Sequence, residues 1–313
     1  MTTAPAILDP RKAWLERRRT LLTASDVAAV LGQDERRGPL AVYAAKVGGV
    51  ESDETLPMRR GRRMEAAIAD EYADETGRLV QDLGAYEIAI HPDISWLGAT
   101  LDRVTTPTLE RPVPEGCRGQ GPGPLQIKLA IGSARDWKEG PPLGHQIQVQ
   151  MEIACFGAAW GSLAGLVGPG PLAIHDFPRH DAFLASALPR LEEFWDCVQR
   201  QDPPEADALP GTTHALKRLW STDDGSTIPL DAVDVQVADD WEEAKLGKAD
   251  AEKRLQELEN TLRLRLRLAT FGALPDGTFL TLRTTKNPGY TSVVEPYTYR
   301  TLRRLRPRIK RGR

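Results

Sequence analysis

The order of the predicted elements indicates an α/β fold with a C-terminal extension. Helical patterns come first, short apolar strands follow, and further helices close a region that ends near residue 207. A long charged helix comes after it, so the composition and the spacing of apolar residues change at that point. At 313 residues the chain is long enough for two such parts and for a core without disulfides. We therefore expect a central mixed sheet flanked by helices over 1–207, and an extension over 208–313.

Helices dominate the first part of the chain. Helical patterns cover the segments Arg11–Arg19, Ser25–Leu31, Leu40–Val47 and Arg59–Thr76. Ser25 is predicted as the N-cap of its helix, because a serine side chain accepts hydrogen bonds from free backbone amides. In the last segment Met64, Ile68 and Tyr72 recur every four residues, and Gly77 follows as a stop signal.

Strands and two further helices are predicted between residues 85 and 200. The strands are Ala85–Ile90, Trp96–Val104 and Leu125–Ala130, and the helices are His145–Ala159 and Asp181–Arg200. Thr106–Pro124 contains five prolines and four glycines and is predicted as a surface loop. Ile153–Ile174 has no charged residue, but its glycines and prolines favour a helix end and a core strand over a membrane span.

The extension has its own pattern. A long helix is predicted over 235–269, where Leu255, Leu258, Leu262 and Leu266 recur at the spacing of a packed or coiled-coil seam. A β-hairpin is predicted after it, from Thr278–Thr284 and Tyr290–Val294. A basic tail ends the chain.

The net charge of −3 is unevenly distributed. Residues 296–313 contain seven arginines, one lysine and no acidic residue, so this tail carries +8 and residues 1–295 carry −11. A basic tail on an acidic body indicates contact with a polyanion, and a solvated end is the alternative.

Several other chemistries are excluded by the sequence. A zinc ribbon or an iron–sulfur cluster needs four cysteines, and there are three, without a CxxC pair. The histidines are too scattered for a zinc site: His91, His145, His175, His180 and His214. The phosphate-binding motif Gly-x-x-x-x-Gly-Lys-[Ser/Thr] does not occur, so no ATP hydrolysis is expected. The charged run near the start resembles no targeting signal, and a cytoplasmic protein is expected.

Four polar residues fall inside or beside otherwise apolar elements. Glu65 borders the apolar stripe of its helix, and Asp102 ends a predicted strand. Gln126 and Lys128 share one face of the next strand. Carboxylates with a nearby lysine suit metal-assisted phosphodiester hydrolysis, because hard oxygens hold Mg²⁺ and the ammonium stabilises developing charge. Taken singly, each residue also has an ordinary surface, turn or snorkelling interpretation.

Five sequence blocks occur in an order that is typical of one nuclease family. They are Arg18-Arg-Thr-Leu-Leu-Thr-Ala-Ser25, Gly61-Arg-Arg-Met-Glu65, Leu97-Gly-Ala-Thr-Leu-Asp102, Pro124-Leu-Gln-Ile-Lys128 and Gln148-Val-Gln150. In these blocks the chain resembles the YqaJ-type viral recombinases, relatives of phage lambda exonuclease within the PD-(D/E)XK superfamily. The resemblance runs from about Arg17 to Asp207 and implies a restriction-endonuclease-like core.

The resemblance also implies roles for individual residues. Asp102 would be the central metal ligand, with Gln126 and Glu65 completing the metal site. Lys128 would be the catalytic lysine, and Gln148 would support the site from the neighbouring helix. The residues implied to contact DNA or its 5′ phosphate are Arg18, Ser25 and Thr100.

Gln126 departs from the family pattern, which has a glutamate at this position. A neutral amide oxygen is a poorer Mg²⁺ ligand than a carboxylate. Natural tolerance, an engineered substitution and a natural loss of activity each account for this glutamine, and the sequence does not separate them.

The function implied by the resemblance is Mg²⁺-dependent DNA hydrolysis, with Mn²⁺ as a substitute. Resection of linear duplex DNA in the 5′-to-3′ direction for phage-type recombination is the favoured form. The alternatives are an endonuclease of the same fold and a catalytically impaired DNA-binding scaffold. The implied partners are double-stranded DNA ends, a single-strand annealing protein and further copies of the chain in a trimeric ring.

Overall fold

The computed structural model describes residues 9–49, 55–84, 86–112, 115, 117, 121–286, 300 and 302. The chain divides into two units, 1–220 and 221–313. The first contains α1 (Pro10–Arg19), β1 (Leu22–Thr23), α2 (Ala24–Val30), α3 (Pro39–Gly48), α4 (Leu56–Thr76), β2 (Leu79–Gln81), β3 (Ala89–Ile90), β4 (Leu97–Ala99), β5 (Arg103–Thr106), β6 (Gly123–Leu129), a 3₁₀ helix (Ile131–Trp137), α5 (Leu143–Phe156), β7 (Trp160–Leu166), β8 (Ala173–Pro178), α6 (Asp181–Arg200) and α7 (Pro210–Leu219). The second contains α8 (Ala232–Leu266), β9 (Phe271–Ala273) and β10 (Phe279–Thr281).

The first unit has two sheets. The larger has the strand order β2-β5-β6-β7-β8, in which β6 and β7 run parallel and the other neighbours run antiparallel. The smaller has the order β1-β4-β3. The prediction of a central mixed sheet flanked by helices is confirmed.

Helices cover both faces of the larger sheet. On one face α4 packs Ile68 and Tyr72 against Leu125 and Ile127 of β6. On the other face α5 and its neighbours pack against Leu163 in the cluster Ala130, Trp137, Val149, Ile153, Ala158 and Leu163. Since strand residues alternate between faces, the even-numbered positions of β6 lie on the α5 side.

Two predicted elements differ in the structure. The predicted strand Trp96–Val104 is two strands in different sheets, β4 and β5, so residues 100–102 form the connection between them. The predicted N-cap at Ser25 is wrong. Thr23 is the N-cap, because its hydroxyl and its amide both donate to Asp26 Oδ2, at 2.7 and 3.4 Å.

Other boundaries also differ from the sequence pattern. The first unit continues past the predicted edge at 207, since α7 packs against α3. Of the predicted strand Ala85–Ile90, Ala85 lies outside the described residues and β3 covers only the last two positions. The strand β2 was not predicted from the sequence.

The second unit is described by itself. No residue of α8 is buried, and Leu255, Leu258 and Leu262 of the predicted seam are exposed. The strand β10 pairs antiparallel with β9, and the predicted partner segment 290–294 lies outside the described residues, as does nearly all of the basic tail. Among the described residues, none of the helices combines the length and the apolar character that a membrane span requires.

Candidate active site

Asp102 occupies the junction between the two sheets. It immediately precedes β5, whose first residue, Arg103, pairs with Leu125 of β6. This register brings the carboxylate beside β6, where Oδ2 accepts hydrogen bonds from the Ile127 amide at 2.7 Å and from Gln126 Nε2. Burial raises the pKa of Asp102, although the charge of Lys128 opposes the rise.

Helix α5 supplies the next side chain of the site. Gln148 Nε2 donates to Gln126 Oε1 at 2.6 Å, and Lys128 Nζ donates to Gln148 Oε1 at 3.0 Å. The helix lies close to the sheet at Gly161, where a Cβ would come 2.8 Å from Ile153. The structure therefore brings the predicted residues of β6 and α5 into one hydrogen-bonded cluster with Asp102.

Glu152 extends this cluster and was not predicted from the sequence. It lies one turn after Gln148 on the same face of α5, and its Oε1 accepts from Gln148 Nε2 at 2.8 Å. Its side chain is fully buried. Burial and the charge of Asp102 raise the pKa of Glu152 to about 8. The sequence signal was available, since Glu152 is an acidic residue between Met151 and Ile153 in an apolar run. We call Asp102, Gln126, Lys128, Gln148 and Glu152 the β6–α5 cluster.

Glu65 lies beside the cluster on α4. Burial and the charge of Asp102 raise the pKa of Glu65 to about 7, while Arg103, Arg62 and Lys128 oppose the rise. Glu65 is therefore close enough to Asp102 for the two carboxylates to repel each other.

A second cluster gathers around α2. Asp26 is buried and accepts hydrogen bonds from Lys46 Nζ and Arg37 Nη2, both at 2.7 Å. Burial opposes its ionisation, but Lys46, Arg37 and Arg18 outweigh it and hold the pKa of Asp26 well below its ordinary value. We call Arg18, Asp26, Arg37 and Lys46 the N-terminal cluster. With three cations around one carboxylate, it has an excess of positive charge.

Two residues predicted to contact a phosphate meet at this cluster. Arg18 Nη2 donates to Ser25 Oγ at 3.0 Å and to Thr23 Oγ1 at 3.3 Å. Ser25 is exposed and Arg18 is partly buried, so both groups remain close to solvent. Their separation of seven residues in the sequence is thus a direct contact in the fold.

Trp14 connects the N-terminal cluster with Thr100, two residues before Asp102. The Arg18 guanidinium lies 4.7 Å from the centre of the Trp14 ring, and Trp14 Nε1 donates to Thr100 Oγ1 at 3.0 Å. Trp14 was not predicted, although it lies one helical turn before Arg18. A cleft of about 620 Å³ is lined by residues from both sides, including Arg18, Lys46, Glu65, Thr100 and Asp102.

The oxygen atoms at this cleft suit a hard divalent cation. Within the described residues, no three His, Cys, Asp or Glu side chains form a ready metal cluster. Mg²⁺ does not require one, because it keeps several waters and commonly binds through one or two carboxylates. Asp102 supplies one carboxylate, and Glu65 lies close enough to interact with its charge. The residues therefore fit Mg²⁺ or Mn²⁺.

Comparisons with known proteins agree with the blocks that the sequence contains. Residues 13–159 match the YqaJ-like viral recombinase domain family. The uncharacterized protein YqaJ of Bacillus subtilis (strain 168) is 23% identical over 270 residues, which are 84% of this chain and 80% of that protein.

Two solved structures are also similar. The alkaline exonuclease LHK-Exo from Laribacter hongkongensis aligns with 61% of this chain and 94% of its own, at 22% identity and a TM-score of 0.49. The same exonuclease in complex with dAMP aligns with 66% of this chain and 96% of its own, at 20% identity and a TM-score of 0.49.

Proposed function

Because residues 13–159 match the YqaJ-like viral recombinase domain family, we propose that the chain is a metal-dependent deoxyribonuclease. The specific activity proposed is resection of linear double-stranded DNA in the 5′-to-3′ direction, in support of recombination. The observation that carries the proposal is one cleft with a positive side and a side that carries two neighbouring carboxyl groups. The N-terminal cluster has surplus cations, and on the other side Glu65 and Asp102 lie close enough for the charge of Asp102 to raise the pKa of Glu65.

The positive side suits a terminal phosphate. The Arg18 guanidinium offers paired donors to phosphate oxygens, and the Ser25 hydroxyl beside it offers another. Thr100 accepts from Trp14, so its own hydroxyl hydrogen can donate to a phosphate that lies between the two clusters. These contacts would place the next phosphodiester beside Asp102.

The side that carries Glu65 and Asp102 suits the hydrolytic step. Asp102 and Glu65 would hold Mg²⁺ or Mn²⁺, and a bound ion supplies an acidified water and neutralises phosphate charge. Gln126 would join them as a ligand after a flip of its amide, because Nε2 faces Asp102 and Oε1 faces Gln148 in this structure. Lys128 is held by Gln148 at 3.0 Å, so its ammonium has a defined position from which to donate to a phosphate oxygen. Gln148 also fixes Gln126, so it acts as a positioning residue.

The test uses the full chain with 5′-phosphorylated linear duplex DNA and Mg²⁺. We expect mononucleotide release that begins at the 5′ end, followed with a label near each end in turn. Asp102→Asn should abolish release while DNA binding persists, because phosphate contacts supply most of the affinity. Glu71→Gln, an exposed change on α4, is the control for loss of one acidic charge.

The alternatives have distinct outcomes in the same assay. Rapid cutting of covalently closed circular DNA would replace the exonuclease with an endonuclease. Binding without any release in Mg²⁺ or Mn²⁺ would favour a DNA-binding scaffold, the function that the neutral Gln126 makes the second candidate.

Two partners are proposed on the same family basis. A single-strand annealing protein would coat the strand that resection exposes, and a trimeric ring would enclose the duplex. The basic tail would add phosphate contacts. A mass measurement of the purified chain and a pull-down with an annealing protein from the same genome would test these assemblies.

A further inference from the structure

Glu152 is a buried carboxyl group with one oxygen that no neighbouring group satisfies. Its side chain is 1% exposed. Oε1 accepts one hydrogen bond from Gln148, and Oε2 has no hydrogen-bond partner within the described part of the chain. A buried carboxylate without a cation is costly, and most such groups are paired or coordinate a metal. Protonation would not remove the problem, because a protonated Oε2 would be a donor without an acceptor.

The hydrogen-bonded chain joins this carboxylate to the candidate active site. Glu152 is bonded to Gln148, Gln148 to Gln126, and Gln126 to Asp102. The charges of Asp102 and Lys128 both act on Glu152, so the three ionisable groups lie within electrostatic reach of one another. The unsatisfied oxygen therefore belongs to the same polar region as Asp102.

The residue at position 126 explains why a carboxyl group on α5 matters for the site. Its side chain is neutral, so β6 contributes no carboxylate at the point where it contacts Asp102. Glu152 supplies a carboxylate from the helix that packs on the same face of β6, through one intervening glutamine. The carboxyl group missing from the strand is thus present on α5.

We propose that Glu152 is a further acidic ligand of the divalent cation site and that it replaces the carboxylate absent at Gln126. This inference rests on the proposed function for the site's identity, and it goes further by assigning a residue that the sequence blocks do not contain. A divalent cation bound by Asp102 and Glu152 would provide Oε2 with the partner that it lacks.

The first experiment measures binding of Mn²⁺ alone to the full chain by isothermal titration calorimetry, without DNA. Glu152→Gln keeps the shape and the bond from Gln148 but removes the charge, so the Kd for Mn²⁺ should rise by about 10-fold or more. Glu71→Gln, the exposed control, should bind Mn²⁺ like the unmodified protein. An unchanged Kd in Glu152→Gln would overturn the proposal and leave Glu152 as a structural partner of Gln148.

A second variant protects the test against a folding defect. Gln126→Glu moves the carboxylate back to β6, so adding it to Glu152→Gln should restore Mn²⁺ affinity and nucleotide release. Failure of the double variant to regain affinity, while it unfolds at the same temperature as the unmodified protein, would also contradict the proposal.

The readouts separate the two proposals. Absence of nucleotide release from the unmodified protein, together with Mn²⁺ binding that depends on Glu152, would reject the proposed function and support the cation site. Normal release and normal Mn²⁺ binding in Glu152→Gln would reject the Glu152 assignment and support the nuclease.

Discussion

Asp26 and Glu152 are both buried carboxylates, yet their surroundings are opposite. Asp26 accepts from Lys46 and Arg37, which hold its pKa below the ordinary value after burial has opposed ionisation. Glu152 forms no ion pair within the described residues, and burial raises its pKa to about 8. One region has more cations than its carboxylate needs, and the other has a carboxyl group that no cation contacts directly within the described residues.

Asp26 is a carboxylate whose partners are other residues of the fold. Glu152 is a carboxyl group whose free oxygen lacks a partner that a ligand could supply. The N-terminal cluster is internally satisfied, and its remaining positive charge is available for an anion. The β6–α5 cluster is not satisfied by protein groups alone, so it favours a cation from solvent. For a nuclease, a phosphate and a divalent cation are the two ions that the cleft needs.

The largest expected effect is the loss of stability when Asp26, the paired carboxylate, is replaced. Asp26→Asn leaves Lys46 buried without a counter-charge, so the free energy of unfolding should fall by about 3 kcal/mol. Urea denaturation at pH 7 followed by circular dichroism measures it. The exposed change Glu71→Gln should stay within about 0.5 kcal/mol of the unmodified protein. An Asp26→Asn midpoint equal to that control would remove the contrast between the two carboxylates.

The next effect concerns the surplus positive charge. Hydrogen bonds to a charged phosphate contribute about 1.5–3 kcal/mol, so Arg18→Ala should reduce the preference for 5′-phosphorylated over 5′-hydroxyl duplex by about 10- to 100-fold. Initial rates of nucleotide release on the two substrates measure that ratio. Arg17→Ala is the matched control, because Arg17 is an exposed neighbour on α1. A preference that survives in Arg18→Ala, or is absent from the unmodified protein, would place phosphate recognition elsewhere.

A smaller effect is expected when the pH is lowered, because the stability that Asp26 contributes depends on its ionisation. Since the pKa of Asp26 in the folded protein lies below its ordinary value of 3.8, its stabilisation is present above about pH 4 and is lost as the pH falls further. The stability difference between the unmodified protein and Asp26→Asn should therefore narrow by about 1 kcal/mol between pH 5 and pH 3. Parallel urea titrations at both pH values test it, and a constant difference would show that the ion pairs do not titrate there.

The smallest effect is expected from the other carboxylate. In the presence of a chelator, Glu152→Gln should change the free energy of unfolding by no more than about 1 kcal/mol, because it keeps the hydrogen bond from Gln148 and replaces one buried, unpartnered polar atom with another. The same urea assay measures it beside Asp26→Asn. A loss as large as that of Asp26→Asn would mean that Glu152 is already balanced in the folded protein.

Much of the candidate site was predictable because its residues stand out locally. Gln126 and Lys128 lie two positions apart and therefore on one face of their strand. A polar residue in an apolar strand is visible without a structure. Arg18 and Ser25 were assigned by resemblance, and the structure places them in contact. Their roles in catalysis and phosphate binding stay predictions.

The errors have a common physical cause. Ser25 was predicted as an N-cap by residue type. Thr23 is the N-cap instead, and its amide and hydroxyl both donate to the carboxylate of Asp26. The strand ending at Val104 was predicted as continuous, but pairing with two different sheets divides it before Asp102. Local propensity does not include the partner strand or the competing cap.

The sequence by itself determined the helix periods, the alternation on β6 and the polar residues that interrupt apolar elements, because these depend on neighbours along the chain. Only the tertiary structure decided which charges are balanced. Lys46 and Arg37 reach Asp26 from other parts of the chain, and Glu152 lies in a buried position where one of its oxygens has no hydrogen-bond partner within the described residues. The electrostatic state of a carboxylate depends on burial and on charges from distant segments, and these exist only after the helices and sheets have packed together.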